Sequence, residues 1–141
     1  MAAIYEHTQW AWTIAGVFAA AIVVLLLASG GGPFFWWPSF ALLAIWGTFS
    51  SLTVRIEGDT LSWWFGPKLW SYERPVTRIV SAEPVENRWW YGWGIRATPH
   101  GWLYNVSGLS AVEITMADGS RLRIGTDAPM ELTEAIRAAR R

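Results

Sequence analysis

Several absences narrow the possible functions before any motif is considered. The 141-residue sequence contains no cysteine, which excludes disulfides, thiolate metal sites and thiol nucleophiles. Acidic and basic side chains balance at 11 each, so the excess of Lys and Arg that binding to nucleic acid requires is missing. Between Glu6 and Arg55 there is no Asp, Glu, Lys or Arg at all. This uncharged stretch divides the chain into an apolar part and a polar part.

The apolar part predicts two membrane helices. Residues 10–29, WAWTIAGVFAAAIVVLLLAS, are long enough at ~1.5 Å per residue to cross a hydrocarbon core of roughly 30 Å. Three glycines then interrupt the helix, and a second helix is predicted at about residues 38–53, with Pro38 in its first turn. Because backbone polar groups in a bilayer must be satisfied internally, residues 1–54 are predicted to form a transmembrane helical hairpin.

The distribution of charge predicts how this hairpin is oriented. The loop between the helices has no basic residue, whereas all 11 Lys and Arg lie from Arg55 onward. The positive-inside rule then places both termini in the cytoplasm and predicts a multi-pass protein of the bacterial inner membrane. Residues 1–9 lack the basic n-region of a cleaved signal peptide.

Two sets of side chains in the hairpin are candidates for contacts. Small residues on one helix face permit close packing, either between the two helices or against a foreign transmembrane helix, and spacing does not separate these alternatives. Indole rings at helix ends are typical anchors at the headgroup level. The packing candidates are Gly16, Ala20, Ala44, Gly47 and Ser51, and the anchors are Trp10, Trp12, Trp36 and Trp37.

From residue 52 onward the pattern changes to short β segments separated by turns. LTVRIE (52–57) and TLSWWF (60–65) flank a Gly-Asp pair and predict a hairpin, and Asp118-Gly119 predicts another before RLRIG. We expect residues 55–141 to form an antiparallel sandwich or barrel of about seven strands.

The end of the chain predicts one amphipathic helix over about residues 128–140. Asp127 stands at or beside its N-cap, and Leu132 and Ile136 fall on one apolar face. This helix is expected to cap the sheet, which makes the fold class α+β.

A two-helix hairpin, about seven strands and one C-terminal helix together resemble the pleckstrin-homology-like domains of small bacterial membrane proteins. The resemblance covers about residues 52–140. It is carried by PVTRIVSAEPV (75–85) and by GWGIRATPHGWLYNVSGLSAVEITMADGSRLRIGTDAPMELTEAIRAA (92–139). Phosphoinositide-binding members imply a Lys and Arg cluster around the first hairpin. Here Arg55 and Lys68 are separated by acidic residues, so specific inositide recognition is not expected.

No catalytic constellation is apparent in the sequence. His7 precedes the first helix, and His100 lies in a TPHG turn typical of a solvated loop. A serine nucleophile would require Ser107 or Ser110 to meet His100 in space, without the sequence of a nucleophile elbow. The carboxylates lack the paired spacing of a general acid and base. We therefore expect no enzymatic activity, no cofactor and no metal.

Aromatic side chains are the feature that remains to be explained. Trp63 and Trp64 are adjacent, so they must point to opposite faces of a strand and at most one can enter the core. Exposed rings near a bilayer mark either membrane contact or a protein interface. The interface candidates outside the hairpin are Trp63, Trp64, Arg88, Trp89, Trp90, Tyr91 and Trp93.

These observations predict a non-catalytic, membrane-anchored accessory subunit that stabilises a larger membrane protein complex. An energy-transducing complex, photosynthetic or respiratory, is the candidate host. Its partners would be the lipid bilayer and other integral membrane subunits. No histidine lies in either predicted helix to ligate a chlorophyll or a haem. The alternative is a free-standing membrane-tethered module that binds lipid or a soluble protein.

Overall fold

The computed structural model describes residues 3–141, which form an α+β fold. Within that range lie three α-helices and nine β-strands. The helices are α1 (Trp12–Ser29), α2 (Pro33–Thr48) and α3 (Pro129–Ala139). The strands are β1 (Ala3–Trp10), β2 (Ser51–Glu57), β3 (Thr60–Phe65), β4 (Trp70–Pro75), β5 (Ile79–Glu86), β6 (Gly94–Thr98), β7 (Gly101–Asn105), β8 (Ser110–Met116) and β9 (Arg121–Gly125).

The strands form two sheets. One has four strands in the order β1-β2-β3-β4, and the other has five in the order β5-β8-β9-β7-β6. The expectation of about seven antiparallel strands is corrected in two respects, because nine strands are described and β7 pairs with β9 in parallel. The parallel pair arises because β9 turns back from β8 and fits between β8 and β7.

Both hairpins that the turn residues predicted are confirmed. Strands β2 and β3 pair around Gly58, and β8 and β9 are joined through Asp118 and Gly119. The Asp118 carboxylate accepts hydrogen bonds from the backbone N–H and the hydroxyl of Ser120, at 2.9 and 2.6 Å. These bonds lower the pKa of the Asp118 carboxyl and hold the tight turn.

The C-terminal helix is also confirmed, and it covers the edge where the two sheets meet. Helix α3 contacts β5, β8, β1 and β2, and its own side chains Leu132 and Ile136 are fully buried against them. Its N-cap residue is Ala128, with no side-chain cap. Asp127 pairs instead with the imidazole of His7 on β1, so this carboxylate joins the helix start to the first strand.

Strand β1 was not expected from the sequence. It pairs with β2 over nearly its whole length, from Ala3 opposite Glu57 to Trp10 opposite Ser51. The sequence assigned residues 1–54 to the helical part, whereas β1 and the start of β2 lie in the four-stranded sheet; residues 1 and 2 are outside the described part. Trp10 ends β1 one residue before the N-cap-to-helix transition of α1 at Trp12, so no turn separates the strand from the apolar helix that follows.

The helix bounds also differ from the expectation. Helix α2 begins at Pro33 and ends at Thr48, rather than running over residues 38–53. Pro33 takes the first helical position, where an N–H is not needed, so Pro38 falls inside the helix. Helix α1 is long and apolar enough to span a membrane, with 18 residues, whereas α2 has 16.

The two sheets and α3 together form what we call the β domain, and the base of the helical hairpin packs into its core. The core cluster includes Ala11, and Ile14 and Phe49 pack against it. The Ala11 backbone N–H donates to the Ser50 carbonyl oxygen at 2.9 Å, directly at the point where the two helices leave the sheet. The hairpin therefore projects from the sheet without a flexible linker.

Candidate functional site

The surface of the hairpin is apolar and uncovered. Helix α1 contains no buried residue, and α2 contains only Ser39. Large apolar side chains are among the most exposed of the described residues, such as Leu27 at 79% and Phe34 at 86%. Soluble monomers rarely expose a contiguous apolar patch of more than a few hundred Å². This surface therefore requires lipid or protein to cover it.

The half-buried residues of the two helices are mostly not the predicted small ones. Half-buried side chains recur on one face of each helix, at Ile14, Phe18, Ile22 and Leu25 in α1 and at Phe35 and Leu42 in α2. The small residues lie elsewhere, since Gly16, Ala20 and Ala44 are exposed and a Cβ added at Gly16 or Gly47 would meet nothing within 4 Å. Ser51 is buried in strand β2 and is not on a helix. The exposure of Gly16, Ala20 and Ala44 does not support packing of the two helices on each other through these residues, and docking of a foreign transmembrane helix there stays a prediction.

Aromatic side chains are concentrated at both ends of the hairpin. Trp10 and Trp12 are exposed where α1 leaves the sheet, and Trp36 and Trp37 are exposed near the start of α2 at the opposite end. Trp46, which is not among the predicted anchors, lines a pocket with Trp10 and Trp12. Because α2 ends at Thr48, Trp46 lies in its last turn, where an anchor is expected. The prediction that α2 runs to residue 53 placed this ring inside the helix instead. Two bands of indole rings separated by aliphatic side chains are typical of membrane-spanning segments.

Trp63 is corrected from an interface candidate to a core residue. Its side chain is fully buried, and its ring stacks on Tyr72 at 5.8 Å and meets Tyr104 edge-on at 5.2 Å. Trp64 points to the other face of β3, where the Lys68 ammonium lies 4.6 Å from its ring centroid. The alternation expected for a strand is thus confirmed, with only the first of the two rings in the core.

The segment between β5 and β6 displays two tryptophans on its outside. It starts at the hairpin end of the domain, where the Asn87 N–H donates to the Leu109 carbonyl oxygen at 2.7 Å, and joins the two edges of the five-stranded sheet. Its 3-10 helical turn leaves Trp89 71% exposed and Trp90 57% exposed, with their rings in T-shaped contact at 5.8 Å. The Arg88 guanidinium lies 5.1 Å from the Trp90 ring.

The rest of this segment is tied down. The Trp93 indole N–H donates to the Gly108 carbonyl oxygen at 3.2 Å, and the Tyr91 ring packs against His100 at 6.1 Å. The exposed pair Trp89 and Trp90 is therefore presented by a turn that is fixed at both ends.

A second aromatic loop lies beside the base of the hairpin and was not expected. Gly66 approaches α2 so closely that a Cβ there would lie 2.5 Å from the Thr48 carbonyl oxygen. The residues that follow include Leu69 and Trp70, 63% and 48% exposed, and Lys68 in a left-handed conformation with φ 64°. Apolar side chains with one cation, next to the end of an apolar helix, are typical of a loop at the membrane interface.

Titratable side chains are dispersed, and a minority of them form ion pairs with one another. No group of three His, Asp or Glu side chains within residues 3–141 could hold a metal ion. The Ser107 hydroxyl is 3.0 Å from that of Thr13, and His100 packs against Tyr91. Buried Arg123 donates to Glu113 at 3.3 Å and to Asn87 at 3.1 Å. The second bond fixes the start of the segment between β5 and β6 on the five-stranded sheet.

Tyr5 is the most strongly perturbed of these groups. Burial of its hydroxyl, with the nearby carboxylates of Glu131 and Asp127, raises the pKa of Tyr5 to about 12. No described residue hydrogen-bonds this hydroxyl. A buried polar group without a partner costs about 1–3 kcal/mol.

Replacing Tyr5 with Phe should therefore increase stability. We expect the free energy of unfolding to rise by about 1 kcal/mol at neutral pH, because the unpaired hydroxyl is removed. Since the folded pKa is higher than the unfolded value of 10.0, the wild-type protein should also lose stability as the pH rises above 10 towards 12, and the variant should lose less. Urea unfolding in detergent at pH 7 and pH 11 tests both effects, and equal losses at high pH would contradict the assignment.

Comparison of the chain with protein-family models, with curated proteins and with solved structures yields no match. The pleckstrin-homology-like assignment therefore stays a prediction.

Proposed function

We propose that the protein is a non-catalytic accessory subunit, anchored in the membrane by its helical hairpin, that stabilises a larger membrane protein complex. The observation that carries the proposal is the junction between hairpin and β domain. The hairpin enters and leaves through two paired strands, β1 and β2, and its base packs into the core. Such a junction supports a domain held at a fixed height and angle beside its neighbours.

The same junction supports a two-pass arrangement. Because β1 and β2 are hydrogen-bonded neighbours, α1 begins and α2 ends on the same side of the bilayer. If α1 crosses, α2 must return. At ~1.5 Å per residue the two helices are about 27 and about 24 Å long, and the bands of tryptophan at their ends compensate for the shorter one.

We further propose that the β domain is pleckstrin-homology-like and lies in the cytoplasm with both termini. Two sheets closed by the C-terminal helix α3 support the resemblance in outline, although nine strands and one parallel pair depart from a simple antiparallel arrangement. The positive-inside rule supports the orientation, since the turn at residues 30–32 is uncharged and the β domain carries all of the Lys and Arg.

Two uncovered surfaces support a protein partner. In the hairpin, Gly16 and Ala20 are four residues apart and exposed, which allows a foreign transmembrane helix to approach closely. On the β domain, Trp89 and Trp90 are held outward by a fixed turn. Exposed Trp next to Arg is the composition of interface hot spots.

Removal of the two exposed rings tests the proposal. We expect the wild-type chain, extracted in a mild detergent, to co-migrate with a defined large complex in native electrophoresis. The double variant Trp89→Ala/Trp90→Ala should reduce this association about tenfold or more, since hot spots contribute about 2 kcal/mol or more. The control is Trp102→Ala, which removes another exposed ring from strand β7. Migration of the wild-type chain alone as a small particle would contradict the proposal.

One observation favours a second candidate, a free-standing membrane-tethered module. The loop with Lys68, Leu69 and Trp70 lies beside the hairpin base, where it would contact the bilayer surface rather than a protein. Under this alternative, the chain would be isolated alone, and its β domain would bind lipid or a soluble protein.

A further inference from the structure

A cavity opens where the hairpin meets the five-stranded sheet. Its volume is about 540 Å³, within the range of roughly 300–1,000 Å³ that is typical of small-molecule sites. The walls are the first two turns of α1, the end of α2 and the segment 92–96 that leads into β6. Apolar side chains form most of them, namely Ile14, Val17, Phe18, Ile45, Phe49 and Ile95.

One cation faces this apolar cavity. Among the described residues that line it, Arg96 is the only charged one. Its Nε donates to the Trp93 carbonyl oxygen at 3.1 Å, which fixes the plane of the guanidinium. The guanidinium packs on the backbone of Gly92, where φ is 74° and a Cβ would lie 3.5 Å from the Arg96 Cζ.

This guanidinium has no anionic partner in the described part of the chain. The ion pairs among residues 3–141 involve His7, Arg55 and Arg123, and none involves Arg96. Because Nε is bonded to the backbone, the terminal N–H groups are left to donate. A planar guanidinium with free donors matches the geometry of a phosphate.

We propose that this cavity binds one anionic phospholipid, with its phosphodiester on Arg96 and an acyl chain between α1, α2 and the segment 92–96. The inference rests on the proposed membrane crossing, because the cavity is then continuous with the lipid around the exposed face of α1. The position of the cavity along the hairpin also fits a lipid, because the cavity lies within two helical turns of the indole rings of Trp12 and Trp46. Headgroup phosphates and the first methylenes of the chains are found at this depth.

The charge at the cavity selects the class of lipid. A phosphatidylglycerol headgroup carries one negative charge, which the unpaired guanidinium neutralises. A phosphatidylcholine headgroup carries its own cation, so it gains less from the guanidinium. A cation near the membrane surface attracts anionic lipids, and it does so more strongly where its donors are fixed in place.

Native mass spectrometry of the full chain tests the inference. The chain is reconstituted in nanodiscs that contain equal amounts of phosphatidylglycerol and phosphatidylcholine, and is then released in a mild detergent. We expect retention of one phosphatidylglycerol per chain, with the lipid-bound fraction reduced about tenfold in Arg96→Ala. Arg121→Ala is the matched control, because it removes an exposed arginine from β9 at the opposite end of the domain.

A second variant keeps the test decisive if Arg96→Ala does not fold. Val17→Trp leaves Arg96 intact and fills the cavity from α1, where Val17 is 64% exposed, so it should also prevent lipid retention. The inference is overturned if the wild-type chain retains no lipid, or if it retains both lipids equally. It is also overturned if both variants retain as much phosphatidylglycerol as the wild-type chain does. Alkaline extraction of the bacterial membranes in which the chains are expressed separates lipid binding from membrane crossing. Variants that retain no lipid should remain integrated in the membrane, whereas release of the wild-type chain would refute the crossing itself.

Discussion

Arginine at the centre of both hairpin helices should abolish stable membrane integration. We expect the double variant Ala20→Arg/Phe40→Arg to lose about 5–7 kcal/mol of insertion free energy, because each arginine at a helix centre costs about 2.5–3.5 kcal/mol. Both positions are exposed, so the variant places its charges on the outside of the hairpin without disturbing the contact between α1 and α2. Alkaline extraction of membranes should release the variant or reveal its degradation, while wild type remains in the pellet.

A matched substitution separates membrane insertion from helix stability. Ala138→Arg introduces the same side chain at an exposed position of α3, which lies on the β domain. This variant should fractionate like wild type. If the double variant also stayed in the membrane pellet as a folded protein, the hairpin would not be embedded in lipid.

Truncation of Trp63 should produce the largest loss of stability in the β domain. Trp63→Ala is expected to lower the free energy of unfolding by about 3–5 kcal/mol, because it leaves a cavity among Tyr72, Tyr104 and the rest of the core. Urea unfolding in detergent, followed by circular dichroism, measures the difference.

The neighbouring tryptophan is the control for this change. Trp64→Ala removes an identical side chain from the same strand but from the half-exposed face, so it should cost about 1 kcal/mol or less. Trp63→Phe should recover most of the stability, since it keeps a ring in the core and removes an indole N–H that no described residue accepts. Equal losses for Trp63→Ala and Trp64→Ala would contradict the assignment of the core.

Local patterns predicted the elements that depend on local chemistry. Strand alternation and turn residues identified β2, β3, β8 and β9, the length of an uncharged apolar run identified α1, and helical periodicity identified α3. The start of α2 was misplaced because two prolines competed for its first turn. Pro33 took that position and Pro38 was accommodated inside the helix.

Non-local pairing accounts for what the sequence did not reveal, namely strand β1 and the order of the strands in the five-stranded sheet. Strand β1 pairs with β2 across the entire hairpin, and β7 pairs with β9 past β8. No turn directly joins the two strands of either pair. Alternation predicted that Trp63 and Trp64 face opposite sides, but which ring is buried depends on the second sheet and α3, which close the core over one face.

Only the part of the candidate site that depends on local composition could be predicted from the sequence. Trp89 and Trp90 stand out by composition and are exposed, whereas Leu69 and Trp70 acquire their significance only from the approach of Gly66 to the end of α2. The position of Arg96 in a cavity wall depends on how α1 leaves the sheet. No local pattern encodes that geometry.

The crossing of the bilayer by the hairpin is the central claim, and single-cysteine labelling tests it most directly. The natural chain has no cysteine, so an introduced one is the only target for a maleimide. Gly32→Cys places it at the tip of the hairpin, where φ is not in the left-handed region and a Cβ is 3.4 Å from its nearest neighbour, and Ala117→Cys places it in an exposed turn of the β domain.

We predict that a membrane-impermeant maleimide added to intact bacterial cells will label Gly32→Cys, and will label Ala117→Cys only after the inner membrane is permeabilised. Labelling of both positions from the same side of the membrane would contradict the crossing.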